Sequence, residues 1–447
     1  MSIYKDCDVR GVYGSELRAD EVYKIGRALA TLAKGKILVG GDVRLSTPEL
    51  KRALVRGLTD SGAQAVDLGT IPTPALYFAL KHCPDAAAGA TVTASHNPPE
   101  YNGVKFMIGG TPVTREAMDR LRAIVERGEF AGGAGTLAAW DVSADYLAFL
   151  ANRFHAPRPL HVLVDAGCGA MGRIAPEAFR RAGYRVTELS CVPDGAFPDR
   201  SPNPADYSCL GATGAAVRSC GADFGVAFDG DGDRAVFLDE AGAPVQNEKS
   251  LVLFIRSLLA DHPAPVVYDQ KSSSIVRDAV LALGGAPLPE KSGHAFIKKR
   301  FLENGAALAG EVSGHFFFGE LGYDDGLFAA LRMAELLAGS DRTLGRLTGE
   351  IVCPPITPDI RIPCAYAEQQ LWLDSAEAAA RAAGAELSFL DGVRADFPDG
   401  WFLMRKSVTA EQITLRAEAR NEARLRSILD QVAAALPESA RESLKIN

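Results

Sequence analysis

One structural theme occurs three times in roughly the first three hundred residues of this chain. Each time, a short apolar segment leads to an aspartate, a helix-like segment follows, and two further strand-like segments come next. The apolar segments are 37–39, 162–164 and 266–268, and they lead to Asp42, Asp165 and Asp269. Continuous apolar strands that alternate with helices are typical of parallel or mixed sheets covered on both faces. The pattern therefore predicts three similar α/β domains.

Glycines and apolar spacing locate the helices between these strands. A glycine follows the helix-like segment of each repeat, where a left-handed residue would end a helix. These glycines are Gly62, Gly183 and Gly285. Apolar residues at helical spacing predict a further helix before the first strand. They are Val22, Ile25, Leu29 and Leu32. The third strands of the repeats are predicted at 91–94, 224–228 and 306–309.

The last ninety or so residues have a different pattern. Short strand-like segments separated by turn residues are followed by one amphipathic stretch, which predicts an antiparallel α+β domain. The strands are predicted at 391–397, 400–404 and 413–418, and the helix at 422–436. We expect domain boundaries near residues 141, 248 and 356. The four predicted domains are 1–141, 142–248, 249–356 and 357–447.

Composition excludes several classes of function. The chain of 447 residues contains no run of about 18 apolar residues and no apolar signal segment, so we expect a cytoplasmic protein without a membrane partner. A net charge of −8 argues against general nucleic-acid binding, which needs a basic surface. A net negative charge is nevertheless compatible with a locally basic pocket that binds a small phosphorylated ligand. The eight cysteines form no C-x-x-C pair and are predicted to be reduced thiols.

Polar clusters follow the third strand of each repeat. They lie at 95–98, 229–234 and 311–315. In open α/β sheets, ligands bind beyond the carboxyl ends of the strands. We therefore expect the three clusters to meet in one central cleft.

The second cluster, Asp229-Gly230-Asp231-Gly232-Asp233-Arg234, carries the strongest chemical signal. Three carboxylates separated by glycines can converge on one cation, and hard oxygen ligands suit Mg²⁺. Arg234 could neutralise a phosphate. One alternative is a calcium-binding EF-hand loop, which Glu240 would complete, but Arg234 stands where that loop needs glycine. A solvated acidic turn is the other alternative.

The first cluster places Ser95 at a strand exit. A serine hydrolase elbow would need glycines where Thr93 and Asn97 stand, so that interpretation fails. Facing a metal site, Ser95 is instead suited to carry a phosphoryl group; the alternative is a helix-capping serine. Lys105 could orient a phosphate or transfer a proton, or could simply be solvated.

Two further segments offer ligand-binding groups. Glu311 and Ser313 suit the hydroxyls of a sugar, although a buried structural carboxylate is an equal alternative. The segment 405–409, Arg-Lys-Ser-Val-Thr, combines cations and hydroxyls as a phosphate cradle would, and a solvated turn is the alternative.

These four elements, in this order, resemble the α-D-phosphohexomutase superfamily, and most closely its bacterial phosphomannomutase/phosphoglucomutase branch. The matching motifs are 93–98, 229–234, 311–315 and 405–407, with supporting matches at 8–11, 41–44, 291–294 and 323–326. The resemblance implies four domains around one cleft and a phosphorylated Ser95. It also implies Mg²⁺ held by Ser95, Asp229, Asp231 and Asp233. The implied activity interconverts hexose 1-phosphate and hexose 6-phosphate, of mannose or glucose, through a hexose 1,6-bisphosphate.

The resemblance also assigns roles to other residues. Proton transfer is expected from His96, Lys105 and His315, with Arg234 neutralising phosphate charge. The residues expected to hold the sugar are Lys271, His294, Glu311 and Ser313. The residues expected to hold the unreactive phosphate are Arg405, Ser407 and Thr409, with Arg10 lining the same cleft.

Two positions depart from the family pattern. Val408 stands where the family usually has glycine or asparagine, and a β-branched residue resists positive φ. Cys7 stands where a tyrosine is usual. Both departures bear on substrate choice or rate. The alternative functions are a phosphoglucosamine mutase, a metal-dependent sugar phosphatase and a non-catalytic phosphosugar-binding relative.

Overall fold

The computed structural model describes residues 2–407 and 411–441. Within that range the chain forms four sheets, each covered by helices. In the described part of the chain, none of the helices combines the length and apolar character needed to cross a membrane.

The first sheet contains seven strands in the order β1-β5-β4-β2-β3-β7, with β6 paired to β5. Its strands are β1 (Asp8–Val12), β2 (Lys36–Gly41), β3 (Gln64–Thr70), β4 (Ala86–Val92), β5 (Tyr101–Ile108), β6 (Thr111–Pro112) and β7 (Thr136–Ala139). Its helices are α1 (Ala19–Leu32), α2 (Thr47–Thr59), α3 (Thr73–His82) and α4 (Arg115–Arg127). Strands β2, β3, β4 and β7 are parallel, whereas β5 runs antiparallel to β4 and β1.

The second and third sheets repeat this arrangement with fewer strands. The second has the order β11-β10-β8-β9 and the third β13-β12-β14-β15-β16. The second contains α5 (Val142–Arg153), β8 (His161–Asp165), α6 (Ala175–Arg181), β9 (Arg185–Leu189), α7 (Gly211–Cys220), β10 (Phe224–Phe228) and β11 (Ala235–Leu238). The third contains α8 (Asn247–Leu258), β12 (Pro265–Asp269), α9 (Ser274–Ala282), β13 (Ala286–Glu290), α10 (His294–Glu303), β14 (Leu308–Gly310), β15 (Phe316–Phe318), β16 (Tyr323–Asp324), α11 (Gly326–Ala338) and α12 (Leu344–Gly349).

The fourth sheet is antiparallel throughout, in the order β17-β21-β20-β19-β18. Its elements are β17 (Ile360–Pro363), α13 (Gln369–Ala382), β18 (Glu386–Ser388), β19 (Val393–Phe397), β20 (Gly400–Lys406), β21 (Gln412–Ala419), α14 (Glu422–Ala435) and α15 (Glu438–Arg441). The prediction of three α/β domains followed by an α+β domain is therefore confirmed.

The predicted polar clusters share one topological position. In each of the first three sheets, a cluster connects the third strand of the repeat to an antiparallel neighbour. These connections are β4 to β5, β10 to β11 and β14 to β15. Each sheet is therefore mixed, and the antiparallel strand brings the chain back past the site. Lys105 of β5, for example, pairs with Thr91 near the end of β4.

Of the three glycines predicted to end a helix in a left-handed conformation, two do so, and the prediction for Gly285 is wrong. Gly62 and Gly183 adopt the expected left-handed conformation, with φ of 83° and 95°. In the third repeat, Gly284 takes that conformation instead, with φ of 71°. Gly285 instead lets the backbone pack closely against Ala264, because a Cβ atom at position 285 would lie 2.6 Å from the carbonyl oxygen of Ala264.

A pair of glycines lets α1 and α2 pack against each other at backbone distance. A Cβ atom on Gly57 would lie 2.1 Å from the carbonyl oxygen of Tyr23, and one on Gly26 would lie 2.4 Å from that of Leu54. Neither overlap can be relieved by rotating a side chain, because both obstructing atoms belong to the backbone.

We predict that Gly57→Ala lowers the free energy of unfolding by about 1–3 kcal/mol, because the added methyl forces the helices apart. The matched control is Gly211→Ala, which adds the same methyl at the start of α7 with no described atom within 4 Å. Thermal unfolding of both variants checks this expectation. A Gly57→Ala variant as stable as the parent protein would contradict the close packing.

Candidate active site

Ser95 is held in a left-handed conformation at the point where two sheets meet. Its φ is 51°, which is uncommon for a residue other than glycine, and its side chain is buried. Its hydroxyl donates to Oδ2 of Asp229 at 2.8 Å and lies 3.3 Å from Nδ1 of His96. Since no helix begins at Ser95 in the described chain, the helix-cap alternative is wrong.

A buried arginine shapes the loop that carries Ser95. Arg44 donates to the carbonyl oxygens of Ser95 at 2.8 Å and Asn97 at 2.6 Å. It also donates to those of Pro98 at 2.6 Å and Tyr101 at 3.0 Å. One guanidinium thus binds three carbonyl groups of the loop between β4 and β5 and a fourth at the first residue of β5. This explains how the strained backbone at Ser95 is maintained.

Asp42, at the end of β2, orients that arginine. Its carboxylate accepts from the backbone N–H and Nε of Arg44 at 3.0 and 3.1 Å. The hydroxyls of Thr47 and Thr93 also donate to it, each at 2.7 Å. The Thr93 hydroxyl in turn accepts from the backbone N–H of Ser95 at 2.8 Å. Burial raises the pKa of Asp42 and lowers that of Arg44, whereas their mutual attraction favours both charged forms.

The three aspartates of the second cluster are fully buried and converge. One ligand atom from each of Asp229, Asp231 and Asp233 lies within 4.8 Å of the others. Nζ of Lys105 lies 2.8 Å from Oδ2 of Asp231 and 2.5 Å from Oδ2 of Asp233. Thr73, at the start of α3, donates to Asp231 at 2.7 Å. Lys105 is itself buried, so its predicted alternative as a solvated lysine is wrong.

The electrostatics of this cluster fit a divalent cation. Burial, followed by the charges of Asp233 and Asp231, raises the pKa of Asp229 well above its usual range. The neighbouring cations, of which Arg234 and Lys105 act most strongly on Asp229, thus compensate this carboxylate incompletely. Within the described chain, Oδ1 of Asp231 and Oδ1 of Asp233 also lack hydrogen-bond partners. Oxygen ligands of this kind, completed by the Ser95 hydroxyl, are those that Mg²⁺ prefers.

Both alternatives for this cluster are contradicted. The loop is flanked by strands β10 and β11, which excludes the helix–loop–helix frame of an EF-hand. The complete burial of the three carboxylates excludes a solvated acidic turn.

The third cluster reaches the same centre through His315. Glu311 accepts from the backbone N–H of Gly293 at 2.7 Å, from the Ser313 hydroxyl at 2.6 Å and from Nδ1 of His315 at 2.9 Å. Nε2 of His315 lies 3.3 Å from Oδ1 of Asp233. Burial opposes the charge on His315, but the charge of Asp233 and the hydrogen bonds to Asp233 and Glu311 together outweigh it, and the pKa of His315 rises to about 9.

Two further histidines border the site. The ring of His294 stacks on that of His315, with centroids 5.5 Å apart. Burial, followed by the charge of Lys105, lowers the pKa of His294 to about 4. Burial also lowers the pKa of His96 well below its usual range, and Arg234 and Arg10 add to the effect. Both rings are therefore neutral near pH 7.

The predicted arginines lie on two sides of this centre. Nε of Arg234 lies 3.4 Å from Nε2 of His315 and 3.7 Å from Oδ2 of Asp229. Arg10 donates to Oδ1 of Asn97 at 2.8 Å, in the loop that carries Ser95. Arg234 thus borders the buried carboxylates, and Arg10 contacts the loop that carries Ser95.

A polar cavity of about 650 Å³ adjoins this centre. Arg234 and Ser313 line it together with Lys271, Arg361 and Arg416. A larger hollow of about 830 Å³ lies between α8 and α11, but none of its described lining residues belongs to a predicted motif. The smaller cavity is therefore the candidate substrate site.

The described residues of the predicted phosphate cradle do not line the polar cavity. Arg405 forms an ion pair with Asp391 at 3.1 Å and does not line the polar cavity. The backbone N–H of Ser407 donates to the carbonyl oxygen of Gln412 at 3.0 Å. Thr409 and Val408 lie outside the described residues. Lys271 borders the cavity but forms an ion pair with Asp359 at 3.1 Å.

Sequence reasoning assigned no role to three residues that the structure places at the site. Arg44 and Asp42 support the Ser95 loop, and Thr73 binds Asp231. The signal available for the first two was an Asp-x-Arg sequence at a strand exit. Thr73 is the first residue of α3, and its sequence context contains no comparable signal.

We predict that Arg44→Gln lowers the free energy of unfolding by about 3–5 kcal/mol, because it leaves Asp42 as an uncompensated buried charge. The double variant Asp42→Asn/Arg44→Gln should recover part of the loss. Denaturant unfolding measures both. The control is Arg342→Gln, which breaks an exposed pair with Glu350 and should change stability little. Equal effects at the two arginines would contradict the proposed support of the loop.

Comparison with known proteins agrees with this architecture. Models of the phosphoglucomutase/phosphomannomutase family match in succession: alpha/beta/alpha domain I at residues 2–132, domain II at 144–242, domain III at 246–353 and the C-terminal domain at 360–435.

Individual relatives match along nearly the whole chain. A phosphomannomutase/phosphoglucomutase from Pseudomonas aeruginosa is 37% identical over 434 residues, which cover 96% of this chain and 94% of that protein. A phosphoglucomutase from Neisseria meningitidis is 39% identical over 448 residues, covering 97% and 96%. The crystal structure of a phosphoglucomutase/phosphomannomutase family protein from Burkholderia thailandensis superposes with a TM-score of 0.92 at 35% identity, covering 98% of this chain and 97% of that one. With its four domains matched in order, this chain belongs to the phosphoglucomutase/phosphomannomutase family.

Proposed function

We propose that this protein is a phosphohexose mutase that interconverts the 1-phosphate and 6-phosphate of mannose, glucose or both. The supporting observation is the Ser95 hydroxyl, which lies 2.8 Å from Asp229 at the meeting point of the first two sheets. The names of the Pseudomonas aeruginosa and Neisseria meningitidis relatives agree with this activity.

In the proposed reaction, Ser95 carries a phosphoryl group between substrates. The Oγ–P bond of phosphoserine breaks as a sugar hydroxyl oxygen forms a new bond to phosphorus; the sugar hydroxyl loses its proton to a neighbouring base, and the released serine oxygen takes up a proton. The product of this half-reaction is a hexose 1,6-bisphosphate. Once the sugar has turned over, the Ser95 hydroxyl gives up its proton and forms a bond to the phosphorus of the other phosphoryl group, and the sugar oxygen released from that phosphorus takes up a proton.

Residues of the first three sheets provide the surroundings for these transfers. Asp229, Asp231 and Asp233, with Ser95, are the proposed ligands of Mg²⁺, which when bound would neutralise charge on the transferring phosphoryl group. His96 is the nearest histidine to the serine and is neutral near pH 7. Lys105 and His315 are the other proposed proton-transfer groups.

The substrate would bind across the adjoining cavity. We propose that Lys271, His294, Glu311 and Ser313 hold the sugar, and that Arg10 and Arg234 attract its phosphates. Arg405, Ser407 and Thr409 are proposed to hold the unreactive phosphate. The proposed domains are 1–141, 142–248, 249–356 and 357–447, close to the ranges matched by the family models.

We predict that Ser95→Ala lowers the rate of interconversion by at least about a thousandfold, because the phosphoryl carrier is lost. Intact-protein and peptide mass spectrometry should locate a phosphate on Ser95 of the parent protein. Ser219→Ala, which changes an exposed serine of α7, is the control. Full activity of Ser95→Ala without added bisphosphate would contradict the covalent mechanism.

The same assay separates the alternative functions. Stoichiometric release of inorganic phosphate during turnover would indicate a sugar phosphatase, and exclusive use of glucosamine phosphates a phosphoglucosamine mutase. A protein that binds phosphosugars without converting them would be a non-catalytic relative.

We predict that Lys271→Met raises KM about ten- to a hundredfold with a smaller effect on kcat, because a charge-assisted contact to the substrate is lost. Steady-state kinetics measure this change. Lys249→Met is the matched control, since Lys249 donates to the carbonyl oxygen of Thr348 and does not line the cavity. An unchanged KM for Lys271→Met would remove this lysine from the proposed substrate site.

A further inference from the structure

Two buried carboxylate oxygens face the same nitrogen beside the proposed magnesium ligands. They are Oδ1 of Asp233 and Oδ2 of Asp324, whose side chains are fully buried. Neither oxygen has a hydrogen-bond partner among the residues that the structure describes. Nε2 of His315 lies 3.3 Å from the first and 3.9 Å from the second. Such oxygens are costly to bury unless they bind a donor or a cation.

The histidine between them is oriented as a metal ligand would be. Its Nδ1 lies 2.9 Å from Oε2 of Glu311, so the proton on that nitrogen can be donated to a carboxylate. Nε2, the other ring nitrogen, faces the two aspartates, and a metal ion bound there would take the place of its proton. Histidines that bind metals commonly donate their other ring N–H to a carboxylate in this way.

The second oxygen of each aspartate is held by a lysine. Oδ2 of Asp233 lies 2.5 Å from Nζ of Lys105, and Oδ1 of Asp324 lies 3.4 Å from Nζ of Lys298. Lys298 is buried, and its ammonium group lies 3.3 Å from the centroid of the Tyr77 ring. These contacts leave the two unpartnered oxygens directed towards His315.

We propose that Asp233, His315 and Asp324 form a second cation site that binds a transition-metal dication such as Zn²⁺. One ligand atom from each of the three residues lies within 4.8 Å of the others. In a tetrahedral zinc site with bonds of about 2.0–2.1 Å, neighbouring ligand atoms are roughly 3.4 Å apart. Small side-chain rotations therefore suffice to bring the three ligand atoms to zinc-binding distances.

The ligand types distinguish this site from the neighbouring one. Asp229, Asp231 and Asp233 offer oxygen alone, which suits Mg²⁺, whereas an imidazole nitrogen favours Zn²⁺ or Co²⁺. Because Asp233 belongs to both sites, occupation of one weakens the other. Zn²⁺ would therefore compete with Mg²⁺ and, by engaging His315, inhibit the enzyme. That inhibition rests on the proposed function, whereas binding of the metal does not.

Binding can be tested on the full chain after removal of metals. With one equivalent of Zn²⁺, X-ray absorption at the zinc edge should show scattering from one imidazole. Co²⁺ should give the intense visible absorption of a four- or five-coordinate ion, and Zn²⁺ should displace it. Absence of imidazole scattering would overturn the proposal, and this measurement depends on no variant.

Two variants separate the two sites. Asp324→Asn should weaken Co²⁺ binding at least tenfold and abolish the intense absorption. Asp231→Asn should retain that absorption, because Asp231 belongs to the oxygen-only cluster. Circular dichroism and thermal unfolding must first show both variants to be folded. Binding of Co²⁺ by folded Asp324→Asn as tightly as by the parent protein would overturn the proposal, as would loss of the absorption in Asp231→Asn.

Discussion

Buried charge at the centre of the molecule constrains how the first three sheets pack. Asp229, Asp231 and Asp233 follow β10 and have no exposure to water, so they can remain ionised only if cations reach them. The first sheet supplies Lys105, and the third supplies His315. Neither group could reach the carboxylates if the sheets were displaced by a few ångströms. The electrostatic requirement thus places the Ser95 loop and the loop after β14 beside the metal cluster.

The accuracy of the strand predictions depends on how strongly local residues indicate a strand. The predicted strand 224–228 coincides with β10, whose five apolar or small residues are bounded by aspartates. The predicted strand 91–94 overlaps only the end of β4 (Ala86–Val92). β4 begins with three alanines, which have low β propensity, and it becomes a strand because it pairs with both β2 and β5. Such long-range pairing leaves no local signal.

Prediction of the candidate site is likewise limited to residues whose local sequence indicates their role. Glycine-spaced carboxylates and a serine at a strand exit are visible locally, and the structure brings them together. An Asp-x-Arg sequence marks the end of β2, but it does not reveal the partners of Arg44, because these are backbone carbonyls more than fifty positions away, whose sequence is irrelevant to the contact. Strands β17 and β18 and helix α13 were likewise not predicted. Half of the residues of β17 are exposed, so it lacks the continuous apolar run that identified the inner strands.

The fourth domain is joined to the others by a different kind of interface. One continuous apolar core extends from α3 through the second and third sheets, whereas the fourth sheet has its own separate core. Its described contacts across the cleft include ion pairs, Lys271 with Asp359 and Arg416 with Glu248. Apolar packing resists separation, but ion pairs can exchange with water or with a phosphate. Lys271 lines the candidate substrate cavity while it is paired with Asp359, so an anionic substrate would compete for it. A substrate bound to Lys271 would therefore remove one of the ion pairs that join the fourth domain to the third.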